Sequence, residues 1–237
     1  METRHTVFWA AGIALLGAVT SGPLSLWLVS VTHPQPAWTD VTSYATAYHW
    51  IQTVPFFFGF LLVGGFVALI AALYAQAPVR GPRETTAVVL SAVFGAMIVL
   101  NYAIQTTFVP ALMRQAGATE LQLAAAFTMA NPSSLGWAFE MWGYAVLGVA
   151  TWLIAPALNG PSRLLQTARV LFVINAPVSV LPALATALWT GWVTSPIGLA
   201  AFAAWNVLVV AMLILVMGAM RAPRGATSSA GRWAALT

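Results

Sequence analysis

The 237 residues are 60% hydrophobic and only 6% charged, against about a quarter charged in ordinary soluble domains, which excludes a water-solvated globular fold. The basic excess of nine to five is arginine throughout, with no lysine, so a lysine-rich nucleic-acid arm is excluded and loops that hold a membrane topology are the simpler source of the charge. The absence of cysteine removes disulfides, thiolate nucleophiles, iron–sulfur clusters and cysteine zinc sites.

A membrane span needs about 20 mostly apolar residues, and the first such window covers 7–31. Arg4 followed by an apolar run and by Thr20, Ser21 and Gly22 has the look of a cleavable signal peptide. The run, however, continues through Pro23 to Val31, beyond a signal core of about 7–15 residues, which favours a retained helix. In the next link, Pro34 and Pro36 precede Asp40, a candidate N-cap. Val41, Tyr44, Ala45 and Tyr48 then recur at helical spacing, so an amphipathic surface helix is expected over 40–52.

His49 and Gln52 stand at the outer end of the second window, 54–76. A surface helix running straight into this span would be about 37 residues and roughly 55 Å long, too long for one crossing unless it protrudes or bends at Pro55. Within the window Gly59, Gly64 and Gly65 allow close helix approach, without the clean GxxxG spacing of a dimer face.

A short turn with Pro78, Gly81 and Pro82 leads into the third window, 87–110. Asn101 and Gln105 lie one turn apart on it and share a face. Tyr102, Thr106 and Thr107 add hydroxyls nearby. A second surface helix is expected over 119–130, with the Thr119 hydroxyl as cap and Gln122 answering from N3, until Asn131-Pro132 breaks it.

The fourth window, 134–158, carries Glu140 about two turns below its outer end, flanked by Trp137 at i−3 and Tyr144 at i+4. In the fifth, 168–189, Asn175, Pro177 and Pro182 read as kinks whose freed carbonyls a neighbour satisfies. The sixth, 197–220, places Asn206 near mid-membrane. Short links pair the second span with the third and the fourth with the fifth.

With the N-terminus cytoplasmic, Arg4, Arg80, Arg83, Arg163, Arg169, Arg221, Arg224 and Arg232 fall inside and Arg114 alone falls outside. The expected fold class is therefore all-α: one polytopic membrane helix bundle over 1–220, with six transmembrane helices, two short external amphipathic helices and a loose cytoplasmic tail over 221–237. Both termini are expected on the cytoplasmic side of the cell membrane.

A carboxylate near the bilayer centre costs about 2.5–3.5 kcal/mol on insertion scales, so Glu140 is expected to face protein or water. Asn101 and Gln105 reach the same depth and are its natural partners. Tyr102, Trp137, Tyr144, His49, Gln52 and Asn206 complete a candidate ligand-binding set in the outer half of the bundle. With no basic residue expected there, Glu140 is expected to be largely neutral unless a cationic ligand or coupling ion occupies the site. Each polar residue also has a plainer reading as interhelical glue. His5, His33 and His49 show no metal-ligand spacing, and no metalloprotease, nucleotide-binding or Schiff-base motif is present. No catalytic residue, metal or cofactor is expected.

The long amphipathic external link, the arginine-bearing inner turn and the run Asn131-Pro132-Ser133-Ser134-Leu135-Gly136-Trp137-Ala138-Phe139-Glu140 together resemble bacterial six-span membrane proteins classed as domains of unknown function. That resemblance implies architecture and transfers no site residues. The arginine-only, alanine-rich composition likewise points to a GC-rich bacterial genome. Three readings of function follow. The first is binding or transport of a small or amphipathic molecule through an outward-facing pocket around Glu140. The second is a non-catalytic membrane subunit or assembly factor, and the third a membrane-embedded enzyme using Glu140 and His49. The expected partners are the lipid bilayer, a small-molecule ligand, and a membrane partner or a second copy of the chain; no nucleic acid is expected.

Overall fold

A computed structural model describes residues 2–189 and 191–222. It is helical with no strand among these residues, and six helices are long and apolar enough to cross a membrane. These are α1 (Glu2–Thr32), α3 (Trp50–Gln76), α4 (Pro82–Gln115), α6 (Leu135–Leu158), α7 (Arg163–Leu188) and α8 (Pro196–Arg221). Two short helices, α2 (Val41–Ala47) and α5 (Ala118–Phe127), lie in the links. Of the tail expected over 221–237, only Arg221 and Ala222 are described; Arg224 and Arg232 lie outside the described residues.

Each long helix packs on the next in sequence, and α8 returns to α1, so the six form a ring. One end of the ring carries Arg4 and the turns 77–81 and 159–162; the other end, the rim, carries α2, α5 and the short 3₁₀ turn Trp192–Thr194. The half nearest the arginines is filled by Phe66, Phe94, Phe172 and Met212, all fully buried.

Small residues set the tightest contact. Ala10, Ala11, Ala14, Gly17 and Ala18 form the buried face of α1, and a Cβ on Gly17 would fall on the Leu62 backbone of α3. Reciprocally, a Cβ on Gly65 would fall on the Ala14 backbone, while Gly59 makes room for the Tyr102 ring. Gly64 plays no such part, contrary to the expectation for all three α3 glycines: it is exposed, with nothing within 4 Å of the place a Cβ would take.

The arginines do more than carry charge. Arg4 Nη2 donates to the carbonyls of Ala219 (2.8 Å) and Met220 (3.0 Å) at the end of α8. Arg80 Nη2 donates to Ala75 O at the end of α3 (2.7 Å). Arg83 donates through Nε to Leu153 O (3.0 Å) and through Nη2 to Trp152 O (3.1 Å) near the end of α6. Three helices thus finish at this end with their orphan carbonyls and negative dipole ends met by guanidinium groups.

Prolines shape the rim half. A π turn interrupts α1 at Thr20–Leu24, where Pro23 has no N–H to donate and Gly22 leaves helical geometry (φ −86°, ψ −105°). A second interrupts α4 at Ile104–Phe108, just before Pro110. Beyond the first π turn, the last part of α1 packs against α3.

The surface helices differ in detail from expectation. Asp40 caps α2, its Oδ1 accepting from the Ser43 N–H at 2.9 Å and its Oδ2 from the Ser43 hydroxyl at 2.7 Å. The Ser43 backbone donor holds the exposed Asp40 carboxyl below the usual carboxylate range. The helix stops at Ala47, because Tyr48 and His49 turn extended before a 3₁₀ turn opens α3, so α2 never becomes one rod with the span. Helix α5 is capped by Gly117 instead of Thr119: Ala116 adopts a left-handed conformation (φ 52°) and turns the chain early enough for the helix to begin at Ala118. Both surface helices dock on the end of α4 through Tyr44, Val109, Leu112, Met113 and Ala124.

Candidate functional site

The rim half of the ring is hollow. A cavity of about 450 Å³ occupies it, within the range of roughly 300–1,000 Å³ typical of small-molecule sites. All six long helices supply wall, among them Leu26 of α1, Phe56 of α3, Tyr102 of α4, Glu140 of α6, Pro182 of α7 and Phe202 of α8. Trp38, Met129 and Val193 contribute from the links. The lining is mostly apolar, and Glu140 is its single charged side chain among the described residues.

Glu140 is held from α4. Its Oε2 accepts from Asn101 Nδ2 and its Oε1 from the Tyr102 hydroxyl, each at 3.0 Å, and the Tyr102 and Tyr144 hydroxyls lie 3.0 Å apart. The orientation of the amides is fixed by backbone groups, which can only donate or only accept. The Met129 N–H donates to Gln105 Oε1 (3.1 Å), and Gln105 Nε2 donates to Phe127 O (2.8 Å) and Asn101 Oδ1 (3.3 Å). Asn101 Nδ2 also donates to Gly136 O (3.1 Å). A directed chain of donors therefore runs from the backbone after α5 through two amides to the carboxyl, and chains of this kind polarise one another.

Local sequence explains the fit. Asn101 and Gln105, four apart on α4, present both amides to one side, and Asn101 is fully buried. Gly136 has no side chain, and a Cβ there would crowd Phe127 O, Met129 and Gln105. Asn131 accepts from the Ser133 N–H (3.0 Å) and donates to Ala125 O (2.8 Å), folding the break between α5 and α6. Trp137 Nε1 then donates to Met129 O (2.7 Å) and pins that turn beside the carboxyl.

A second polar group adjoins the first. Trp205 Nε1 donates to Asn175 Oδ1 and Ser179 Oγ, each at 3.1 Å, and Asn175 Nδ2 donates to Thr151 Oγ1 at 3.1 Å. The Trp205 and Tyr144 rings meet edge to face, 4.7 Å between centroids. Sequence reasoning set Asn175 apart as part of a kinked helix. What joins it to Glu140 is the tryptophan between them, and no spacing within α7 signals that.

The remaining candidates scatter. Gln52 lines the cavity near the rim and donates to His33 O (3.4 Å) and Ala47 O (3.2 Å). Its Oε1 and the Tyr48 hydroxyl are buried without a hydrogen-bond partner. Burial pushes the Tyr48 phenol up to about 12 and raises Tyr44 as well, so both act as neutral groups. Asn206 lines the cavity, and its amide donates to Phe202 O (2.9 Å) on its own helix. Thr106 and Thr107 bond back to carbonyls of α4. His49 is not among the cavity-lining residues: its ring stacks on His33 at 3.5 Å, and its Nδ1 accepts from the Ile51 N–H. The acid–base pairing of Glu140 with His49 that an enzyme reading requires therefore has no support in the lining of the cavity. No group of three or more metal-ligating side chains occurs among the described residues. No family model, no curated protein and no solved structure matches the chain.

Proposed function

We propose that the chain is a multi-pass protein of the cell membrane that binds or transports a small or amphipathic molecule in the cavity around Glu140, with both termini cytoplasmic. The observation that carries this reading is a carboxyl group held by donors from the neighbouring helix, only half-buried, and turned to a largely apolar hollow enclosed by all six long helices. A glutamate serving only as glue would need no hollow beside it. The decisive measurement is ligand-dependent stabilisation of the purified protein, read as a rise in thermal midpoint across a panel of amphipathic compounds. The expected result is a rise that disappears in Glu140→Gln; a shift of equal size in the variant would remove Glu140 from the site.

The orientation is supported by the arginine count and by the grouping of Arg4, Arg80 and Arg83 at one end of the ring. Reporter fusions after Arg83 and Ser162 should read cytoplasmic and one after Ala118 external. The reverse pattern would invert the protein.

A further inference from the structure

We infer that the occupant of the cavity is a hydrophobic amine, bound as its ammonium ion with the cation seated at Glu140. This ligand class rests on the binding role proposed above and narrows it. The chain has no lysine, and neither arginine nor histidine lines the cavity among the described residues, so nothing in the wall balances an ionised Glu140. Facing apolar surface, an unbalanced carboxylate is costly, and a ligand that brings the opposite charge relieves that cost.

The hydrogen bonding points the same way. Asn101 is committed as a donor by Gly136 O, so it offers Glu140 an N–H and cannot accept a proton from it. Tyr102, Trp137, Tyr144 and Trp205 line the same part of the cavity and supply π surface, which attracts ammonium groups removed from water. Away from the carboxyl the walls are largely hydrocarbon, such as Leu26, Val29, Phe56 and Phe202, which calls for an apolar body.

The test uses three compounds with one skeleton: phenylhexylamine, phenylhexanol and phenylhexanoate, which are cationic, neutral and anionic at neutral pH. Affinities for the full chain and for Glu140→Gln are measured in the same detergent by quenching of tryptophan fluorescence, with each free-ligand concentration corrected for that compound's measured partitioning into the micelle. In the unaltered protein the amine should bind roughly tenfold or more tighter than the alcohol, as charge-assisted contacts do, with the carboxylate weakest. In Glu140→Gln the ratio of amine to alcohol should fall to about one. An alcohol that binds as well as the amine, or an amine advantage that survives in the variant, overturns the ammonium assignment while leaving an occupied cavity. Failure of all three compounds to bind overturns the binding role with it. The charge series on the unaltered protein keeps the inference testable even if the variant does not fold.

Discussion

Gly65→Ala should lower the thermal midpoint of the purified protein sharply, whereas Gly64→Ala, one residue away, should leave it unchanged or slightly higher. The two glycines share a helix, a depth and a backbone conformation, so helix propensity cannot separate them. Their surroundings do. The new methyl at position 65 would fall on the backbone of α1 at Ala14, and backbone cannot rotate aside as a side chain can. At position 64 the methyl meets open space. Overpacking of this kind costs about 1–3 kcal/mol, while removing a glycine from a helix returns up to about 1 kcal/mol at either position. Gly17→Ala should behave like Gly65→Ala, because the two residues lie on opposite sides of the same helix contact. Equal midpoints for the variants at positions 64 and 65 would refute the close approach of α1 and α3.

Asn101→Leu should destabilise the fold by roughly 2 kcal/mol, although a single hydrogen bond between membrane helices averages only about 0.6 kcal/mol. Asn101 serves several groups at once. It donates to Gly136 O and to Glu140 on α6, and it accepts from Gln105 on its own helix. Leucine removes all of these: the Gly136 carbonyl keeps its own helix partner and loses its second donor, while one carboxyl oxygen of Glu140 loses the Asn101 donor, at a cost of about 1–3 kcal/mol. Asn206→Leu provides the contrast. That amide bonds only the carbonyl one turn back on α8, and its loss should change stability by no more than about 0.5 kcal/mol. Thermal denaturation of the two variants side by side checks both values, and similar losses would show that Asn101 is not the centre of the network.

The six long apolar helices and the pairing of the second with the third and the fourth with the fifth were readable because apolar length and short proline-bearing turns are local signals. The hydrogen bond of Glu140 with Asn101 was readable for a related reason, since their depth could be counted from the ends of two adjacent helices, whereas Gln105, expected as a direct partner, reaches Glu140 only through Asn101. Tyr102 and Tyr144 followed from their helical offsets. Other features depend on contacts between distant parts of the chain. Nothing in the periodicity of α3 tells Gly64 from Gly65, since which face meets α1 is set by how the ring closes. The share of Trp205 in both polar groups arises from α8 meeting α6 and α7. The backbone after α5 reaches Gln105 only because α5 starts at Ala118 and the Asn131 turn folds the chain back.

An up-and-down ring also fixes the order in which the protein can be completed. Almost every packing contact joins consecutive segments and becomes available as soon as the second of the pair is made. The contact of α1 with α8 spans the longest interval: Arg4 and Ala219, joined by the guanidinium, are 215 residues apart. Until α8 has been synthesised, α1 has one uncovered flank, the hollow has no wall on that side, and Glu140 faces whatever surrounds the unfinished chain. The last helix therefore finishes the scaffold and creates the enclosed site in the same step. A chain stopped before Pro196 would contain the carboxyl and its donors but not the compartment in which they act.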